Sequence, residues 1–351
     1  MRNMLYSFVL LLVISCNHGN INEIVPVIIT EFPAVKKELK AKVISVPPVI
    51  MTPANLCISD DKLIIIYNKK DTVLDFFQLP ECKYLFGAGI RGGGPDDFSP
   101  DYDSRFLHFE GNEFNIFSSD GLLKRFTVDY KSKRIYTNKS KNQRLNTDHL
   151  GYPVNRFNIL NDTLCFCMSQ IADNEGFELV MINTKTKRNL QFSPYPDWLG
   201  KVWLKDNIPF VYVKNMTSHP SGTKFASFYA YFKRWRIYDY KTNLIREIHV
   251  EVPPYSKSVN ENTSERMAYY GYSCSTAEYI YVECRNRKVS DKPASDTEIQ
   301  VWDWDGNPVA VYTLDKKISL FTISEKERKI YALTNEEEDE DKIYVYSIPE
   351  H

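Results

Sequence analysis

The chain has 351 residues, of which 43% are apolar and 25% are charged. This composition excludes an intrinsically disordered protein, a coiled coil and a collagen-like fibre, because each of these departs strongly from the average of globular domains. The net charge of −1 gives no electrostatic reason to expect nucleic acid or an anionic membrane surface as a partner.

Residues 1–15 are predicted to be an export signal. Arg2 provides the positive charge, and the apolar run Leu5–Ile14 is too short to span a bilayer. The run ends in the sequence VISC at 13–16, which resembles the bacterial lipobox. The resemblance implies that Cys16 is acylated and becomes the mature N-terminus. Several acyl chains would hold a soluble domain firmly at a membrane, since each buried methylene contributes roughly 0.8 kcal/mol.

The lipid is expected to be the only membrane anchor, because no second apolar run reaches the length of about 18 residues that a membrane span needs. Asn17 follows Cys16, where an Asp would suggest retention in the inner membrane, and no acidic cluster marks export to the surface. We therefore expect an outer-membrane lipoprotein that faces the periplasm, with the cell surface as an open alternative. Residues 16–40 are interpreted as a lipidated tether with one β-like stretch at 24–30.

From Ala41 onward the sequence shows short strands with period-2 alternation, separated by polar turns. A unit of apolar strand, polar turn and apolar strand recurs every 49–58 residues, at Ile58, Phe109, Leu160, Ser218, Cys274 and Ile323. Blades of β-propellers have about four strands in roughly 40–50 residues. The spacing therefore predicts an all-β, six-bladed β-propeller over residues 41–351. Two stacked β-sandwich domains would explain the strands but not their regular spacing.

The last unit contains only three predicted strands, at 318–323, 329–333 and 342–347. A strand within 40–47 is expected to provide the fourth. This pairing would join the two ends of the domain and remove an exposed sheet edge.

Two motifs resemble those of TolB-like, six-bladed propeller lipoproteins. The segment SHPSGTKFA at 218–226 is similar to the turn S-x-P-D/S-G-x-x-hydrophobic, and GIRGGGPDDF at 89–98 is similar to the loop G-x-G-P-G-E-F. In the second motif Asp96 replaces Gly and Asp97 replaces Glu. The resemblance implies an exported, six-bladed propeller lipoprotein, and it implies no catalytic residue.

The Gly-rich segment that begins at Gly87 also fits the dinucleotide motif G-x-G-x-x-G. That motif needs a helix directly after it, and Pro95 and Pro100 prevent one. We interpret the segment as a loop between the outer strand of the first blade and the inner strand of the second, at the mouth of the ring. Its glycines would permit positive φ and close approach to the neighbouring blade. The candidate binding-rim residues are Arg91, Gly92, Gly94, Pro95, Asp96, Asp97 and Phe98.

The sequence contains no metallopeptidase, nucleophile-elbow or P-loop motif. The predicted function is a non-catalytic binding or scaffold module that acts through its ring-mouth loops, with no catalytic residue, cofactor or metal. Its partner is an unknown protein, peptide or glycan and not nucleic acid, and the domain is expected to be a monomer with free cysteines. The alternative is a glycan- or peptide-acting hydrolase or lyase with carboxylates in the central channel. A pair of carboxylates, or a Ser–His pair at the mouth, would distinguish the two.

Overall fold

The computed structural model describes residues 24–32, 36–68, 71–99, 107–118, 121–146, 155–169, 176–199 and 208–350. Three short strands come first, β1 (Val27–Ile29), β2 (Lys36–Leu39) and β3 (Lys42–Ser45). The strands that follow form six sheets of consecutive antiparallel strands, which confirms the prediction of an all-β, six-bladed propeller.

The first three blades follow in chain order. Blade one contains β4 (Pro53–Ser59), β5 (Lys62–Tyr67), β6 (Thr72–Gln78) and β7 (Lys83–Ile90). Blade two contains β8 (His108–Glu110), β9 (Glu113–Phe117), β10 (Leu122–Asp129), β11 (Arg134–Thr137) and the short β12 (Gln143–Arg144). Blade three contains β13 (Asn155–Asn161), β14 (Leu164–Met168), β15 (Phe177–Asn183) and β16 (Arg188–Pro194).

The last three blades complete the ring. Blade four contains β17 (Lys214–Ser218), β18 (Lys224–Tyr229), β19 (Arg234–Asp239) and β20 (Leu244–Val250). Blade five contains β21 (Met267–Ser275), β22 (Tyr279–Lys288), β23 (Thr297–Asp303) and β24 (Pro308–Leu314). Blade six contains β25 (Leu320–Ser324), β26 (Lys329–Leu333) and β27 (Lys342–Ser347). The described helical segments are α1 (Ile208–Val211) and three 3₁₀ turns at Lys139–Lys141, Thr263–Glu265 and Glu337–Asp339.

The outer position of blade six is occupied by β3. It pairs with β27 in antiparallel register, with Lys42 opposite Val345 and Ser45 opposite Lys342. The strand lies within the range 40–47 from which the sequence analysis expects it. Blade six is thus built from both ends of the domain.

The expected tether at 16–40 differs from the structure over its second half. β1 pairs in parallel with the outer strand β20 of blade four, and β2 pairs in parallel with the outer strand β24 of blade five. β1 and β2 therefore lie on the outside of the ring, because the outer edges of these two sheets offer unpaired backbone groups.

Apolar clusters fill the gaps between neighbouring blades, one cluster for each of the six gaps. Between blades three and four, for example, the rings of Phe166 and Phe225 stack at 4.0 Å. Alternate residues of each strand face opposite sides of the sheet, so every blade contributes to two clusters. Each large apolar side chain buried there stabilises the ring by roughly 1.5–3 kcal/mol.

The repeated sequence positions lie in the innermost strand of each blade, at the end where that strand turns outward. The TolB-like turn at 218–226 shows why one of its residues is glycine. Gly222 has φ +67°, and a Cβ there would lie 2.5 Å from the backbone oxygen of Leu160 in blade three. The motif is therefore a close contact between two blades.

The antiparallel order gives the ring two different faces. Hairpins between the first and second strands, and between the third and fourth, lie on one face, which we call the lower face. The turns between second and third strands, and the long connections between blades, lie on the upper face. The six cysteines from Cys57 to Cys284 form no disulfide, as expected, although Cys57 and Cys274 are only partly buried.

Candidate functional site on the upper face

The candidate rim loop folds back on itself at the end of β7. The backbone N–H of Gly94 donates to the Asp97 carboxylate at 2.8 Å, and that carboxylate fills the space beside Gly92 and Gly94. A Cβ on Gly92 would lie 2.3 Å from the Asp97 oxygen. The two glycines are therefore required by a close contact within the loop, whereas Gly89 has the positive φ, at +83°.

Phe98 anchors the loop in the core between blades one and two. It is fully buried, and its ring stacks on Phe126 at a centroid distance of 4.8 Å. Its N–H donates to the Ile90 carbonyl, and its carbonyl accepts from the Gly92 N–H. The apolar residue that ends the motif is thus part of the packing between two blades.

The polar groups of the loop are joined to the neighbouring strands. The N–H of Thr137 in blade two donates to Asp96 at 2.8 Å, and its hydroxyl donates to the Pro95 carbonyl at 2.5 Å. Arg91 donates to the Tyr67 carbonyl in blade one at 3.2 Å. The structure thus brings the seven candidate residues together as a rigid joint on the upper face, where three of their polar groups already have partners.

Exposed apolar side chains are unequally divided between the two faces. On the upper face, large apolar side chains are exposed at Val49, Met51, Ile90, Phe210, Tyr255 and Val289, with Ile90 at 68% and Phe210 at 66%. The lower hairpins, all of which the structure describes, expose only Tyr240 among their large apolar residues. These side chains come from several connections around the ring, and their excess over the lower hairpins makes the upper face the better candidate for binding.

A buried ionic network lies under this face, between blades three and four. The Nζ of Lys214 donates to Glu178 at 2.5 Å, and both side chains are fully buried. Arg236 donates to Glu178 at 3.3 Å and to Glu247 at 2.8 Å, and Glu247 lies 2.7 Å from the His249 ring. Two carboxylates thus face the amine of Lys214 and the guanidinium of Arg236, with His249 at the end of the chain of contacts.

The hydrogen bonds to Glu178 stabilise its charged form. Hydroxyls of Ser193, Tyr229 and Tyr238 donate to its carboxylate at 2.7–3.1 Å. Burial opposes ionisation, but the neighbouring Lys214 and Arg236 outweigh it and lower the pKa of Glu178. Burial lowers the pKa of Lys214 to about 8, against the opposing effect of Glu178. The network therefore depends on both partners being present.

This network supports the connection that carries Phe210. The Trp198 ring packs on the guanidinium groups of Arg234 and Arg236, each at 4.9 Å. The backbone N–H of Trp198 donates to the Tyr212 hydroxyl, which in turn donates to the Pro196 carbonyl. Tyr212 follows directly after α1, which contains the exposed Phe210. The buried ionic network therefore holds this connection in place through Trp198 and Tyr212.

One carboxylate approaches the central channel from blade five. A bulge in the inner strand β21 leaves Gly271 and Tyr272 opposite Glu283. The Glu283 carboxylate occupies the space beside Gly271 and accepts the Tyr272 N–H at 3.0 Å. Arg285 binds it through two hydrogen bonds, at 2.9 and 3.0 Å. This acid is held as an ion pair, not beside a second acid.

A Ser–His pair does occur, but on the lower face. The Ser221 hydroxyl lies 2.7 Å from Nδ1 of His219, and the Ser221 N–H donates to the same nitrogen. Nδ1 is therefore an acceptor, so Nε2 carries the proton and donates to the Ala277 carbonyl at 3.0 Å. The histidine thus caps a hairpin and lies away from the ring mouth.

Within the described ranges, no group of three or more His, Cys, Asp or Glu is placed to hold a metal.

Cys16 and the export signal lie outside the described residues, so their prediction stays untested. None of the helices in the described part of the chain has the length and hydropathy of a membrane span.

Sequence reasoning missed the ionic network, because its charged residues stand next to apolar ones in strands, as exposed strand residues do.

Comparison with known proteins agrees with this architecture. The sequence model of TolB-like 6-blade propeller-like proteins matches residues 32–326. Among solved structures, a member of the DUF4221 family from Bacteroides vulgatus is 12% identical, with a TM-score of 0.60 over 88% of this chain and 97% of that one. BamB from Moraxella catarrhalis is 12% identical, with a TM-score of 0.37 over 86% of this chain and 72% of that one. No curated protein matches the chain.

Proposed function

The chain belongs to the TolB-like 6-blade propeller-like family, and from that premise we propose that it is an exported, lipid-anchored binding module. In this proposal the upper face holds a protein, peptide or glycan partner, and the ring provides a rigid support. The observation that supports it best is the division of exposed apolar side chains, with six among the described residues of the upper face and Tyr240 alone in the lower hairpins.

Rigidity of the upper face also supports a binding role. Its rim loop is hydrogen-bonded to two blades. The connection between blades three and four is held by the contact of the Trp198 ring with the buried guanidinium of Arg236. A preorganised surface loses little conformational freedom when a partner binds, so more of the contact energy appears as affinity. The experiment that tests this role compares photo-cross-linking from Phe210 on the upper face with cross-linking from Tyr240 on the lower face. Adducts are expected from Phe210.

The proposed anchor is the acylated Cys16, at the outer membrane and facing the periplasm. We expect Cys16→Ala to release the protein from the membrane without unfolding it. Membrane fractionation, with thermal melting of the released protein, measures both parts of this prediction. Retention of the variant in the pellet after salt and carbonate washing would show that another anchor exists.

A further inference from the structure

Apolar side chains line the gap between blades two and three from its lower part, at Ile159 and Cys165, to the upper face. There the rings of Phe117 and Phe157 stack at 4.2 Å beside Leu123. Toward the lower face the gap opens into a groove of about 210 Å³ between the two blades, which we call the inter-blade groove. It is smaller than the roughly 300–1,000 Å³ of sites for drug-sized ligands.

Asn115 faces this groove with an unused amide. Its side chain is only 8% exposed, and it makes no hydrogen bond to any of the residues that the structure describes. Its strand neighbours Phe114 and Ile116 pack on the other side of the sheet, in the core between blades one and two. Its amide is not sealed in the core but reaches the open groove. Its hydrogen-bonding capacity is therefore directed at whatever occupies the groove.

The charged groups around Asn115 are compensated within the chain. Arg125 lies directly opposite Asn115 in the sheet and donates to Glu110 at 2.9 Å. Its Nε also lies 2.9 Å from Glu113, and Lys141 donates to both oxygens of Glu113 at 3.0 Å. The guanidinium and the two carboxylates are thus fixed in place, and they offer little net charge to a ligand.

An interruption of the outer strand brings Lys141 into this arrangement. The chain leaves the sheet between β11 and β12 through the 3₁₀ turn Lys139–Lys141. The Asn142 side chain then accepts the N–H of Arg125 at 3.1 Å and so replaces a missing strand partner. Local departures from a regular ladder are frequent beside functional sites, where they redirect side chains.

We propose that the inter-blade groove binds a neutral, polyhydroxylated small molecule of monosaccharide size. A carboxylate only accepts hydrogen bonds, whereas the amides of Asn115 and Gln143 both donate and accept. The neighbouring hydroxyls of a sugar are each a donor and an acceptor, so they can bind to these amides and carboxylates together. On the blade-three side, Asn161 and Asp162 complete the polar lining. The groove opens away from the upper face, so this binding is separate from the proposed partner site.

Saturation-transfer-difference NMR of the purified chain tests the assignment with D-glucose, D-galactose and N-acetyl-D-glucosamine as probes. We expect signals from at least one sugar. Asn115→Leu should weaken that binding about tenfold, the effect of one lost hydrogen bond of about 1.4 kcal/mol. The same variant should melt at an equal or higher temperature, because the amide makes no hydrogen bond to the described part of the chain and Leu adds apolar surface beside Leu123. Asp162→Asn should also weaken binding, whereas Asp296→Asn, the same change on an exposed turn of blade five, should not.

Four outcomes would overturn the proposal. The first is the absence of signal from all three sugars. The second is sugar binding that Asn115→Leu leaves unchanged, which would place the sugar elsewhere on the chain. The third is binding of glycine through Asn115 and Asp162 with no sugar binding, which would show a site for zwitterions. The fourth is a lower melting temperature for Asn115→Leu, which would show that Asn115 stabilises the fold and is not kept for a ligand. Sugar binding by Asp162→Asn at wild-type strength would support the same conclusion.

Discussion

Replacing Lys214 by Met is expected to cost about 3–5 kcal/mol of folding free energy, the range for removing one partner of a buried ion pair. The substitution leaves the carboxylate of Glu178 fully buried beside the space of a lost cation. Urea unfolding measures the loss as a lower midpoint at an unchanged slope. Since the network supports Trp198, the same variant should also loosen the connection that carries Phe210.

Two comparisons make this prediction specific to charge balance. The double variant Lys214→Met with Glu178→Gln removes both charges but keeps an acceptor for Tyr229 and Tyr238, so it should recover part of the loss. Lys326→Met changes an exposed lysine and should stay within about 0.5 kcal/mol of the wild type. If the single variant unfolds at the wild-type midpoint, or the double variant is no more stable than the single one, charge balance does not hold these two blades together.

Deleting residues 17–50 is expected to remove most of the stability, whereas deleting 17–30 should be mild. The longer deletion removes the β3 ladder on β27 and three buried side chains, Leu39, Val46 and Ile50. At roughly 1.5–3 kcal/mol each, these side chains alone approach the lower end of the about 5–15 kcal/mol that stabilises a typical domain. The exposed edge of β27 would also favour aggregation.

The shorter deletion is the matched control. It removes β1, whose Val27 and Ile28 are exposed and whose three residues pair only with the edge of blade four. We expect a loss of about 1–2 kcal/mol, from the backbone bonds and from Ile29. Thermal melts at equal protein concentration compare the melting temperatures of the two deletions with that of the intact chain. A longer deletion that melts like the intact chain would mean that blade six is stable without β3.

The sequence predicted the blades well because strand alternation is a local pattern. The strands expected at 329–333 and 342–347 have those bounds in the structure. The spacing of the repeated positions then fixed the number of blades, since each position falls in an inner strand.

Features that depend on distant pairing were not predictable in this way. β1 and β2 have only three and four residues, and each pairs with a strand more than 200 residues further along the chain. Glu178 and Lys214 have the alternation of exposed strand residues, and their partners come from another blade or another strand. One local signal existed for the inter-blade groove, namely Asn115 between the apolar residues Phe114 and Ile116, but alternation alone assigns such a residue to solvent.

The most direct test of the account is to map contacts of the anchored protein in living cells by photo-cross-linking. p-Benzoylphenylalanine would replace Met51, Ile90 or Phe210 on the upper face, and Tyr240 on the lower face as the matched control, since all four side chains are exposed. The account predicts discrete adducts of the same mass from the upper positions and none from Tyr240. Adducts from Tyr240 alone, or equal adducts from both faces, would contradict the assignment of the upper face as the binding surface.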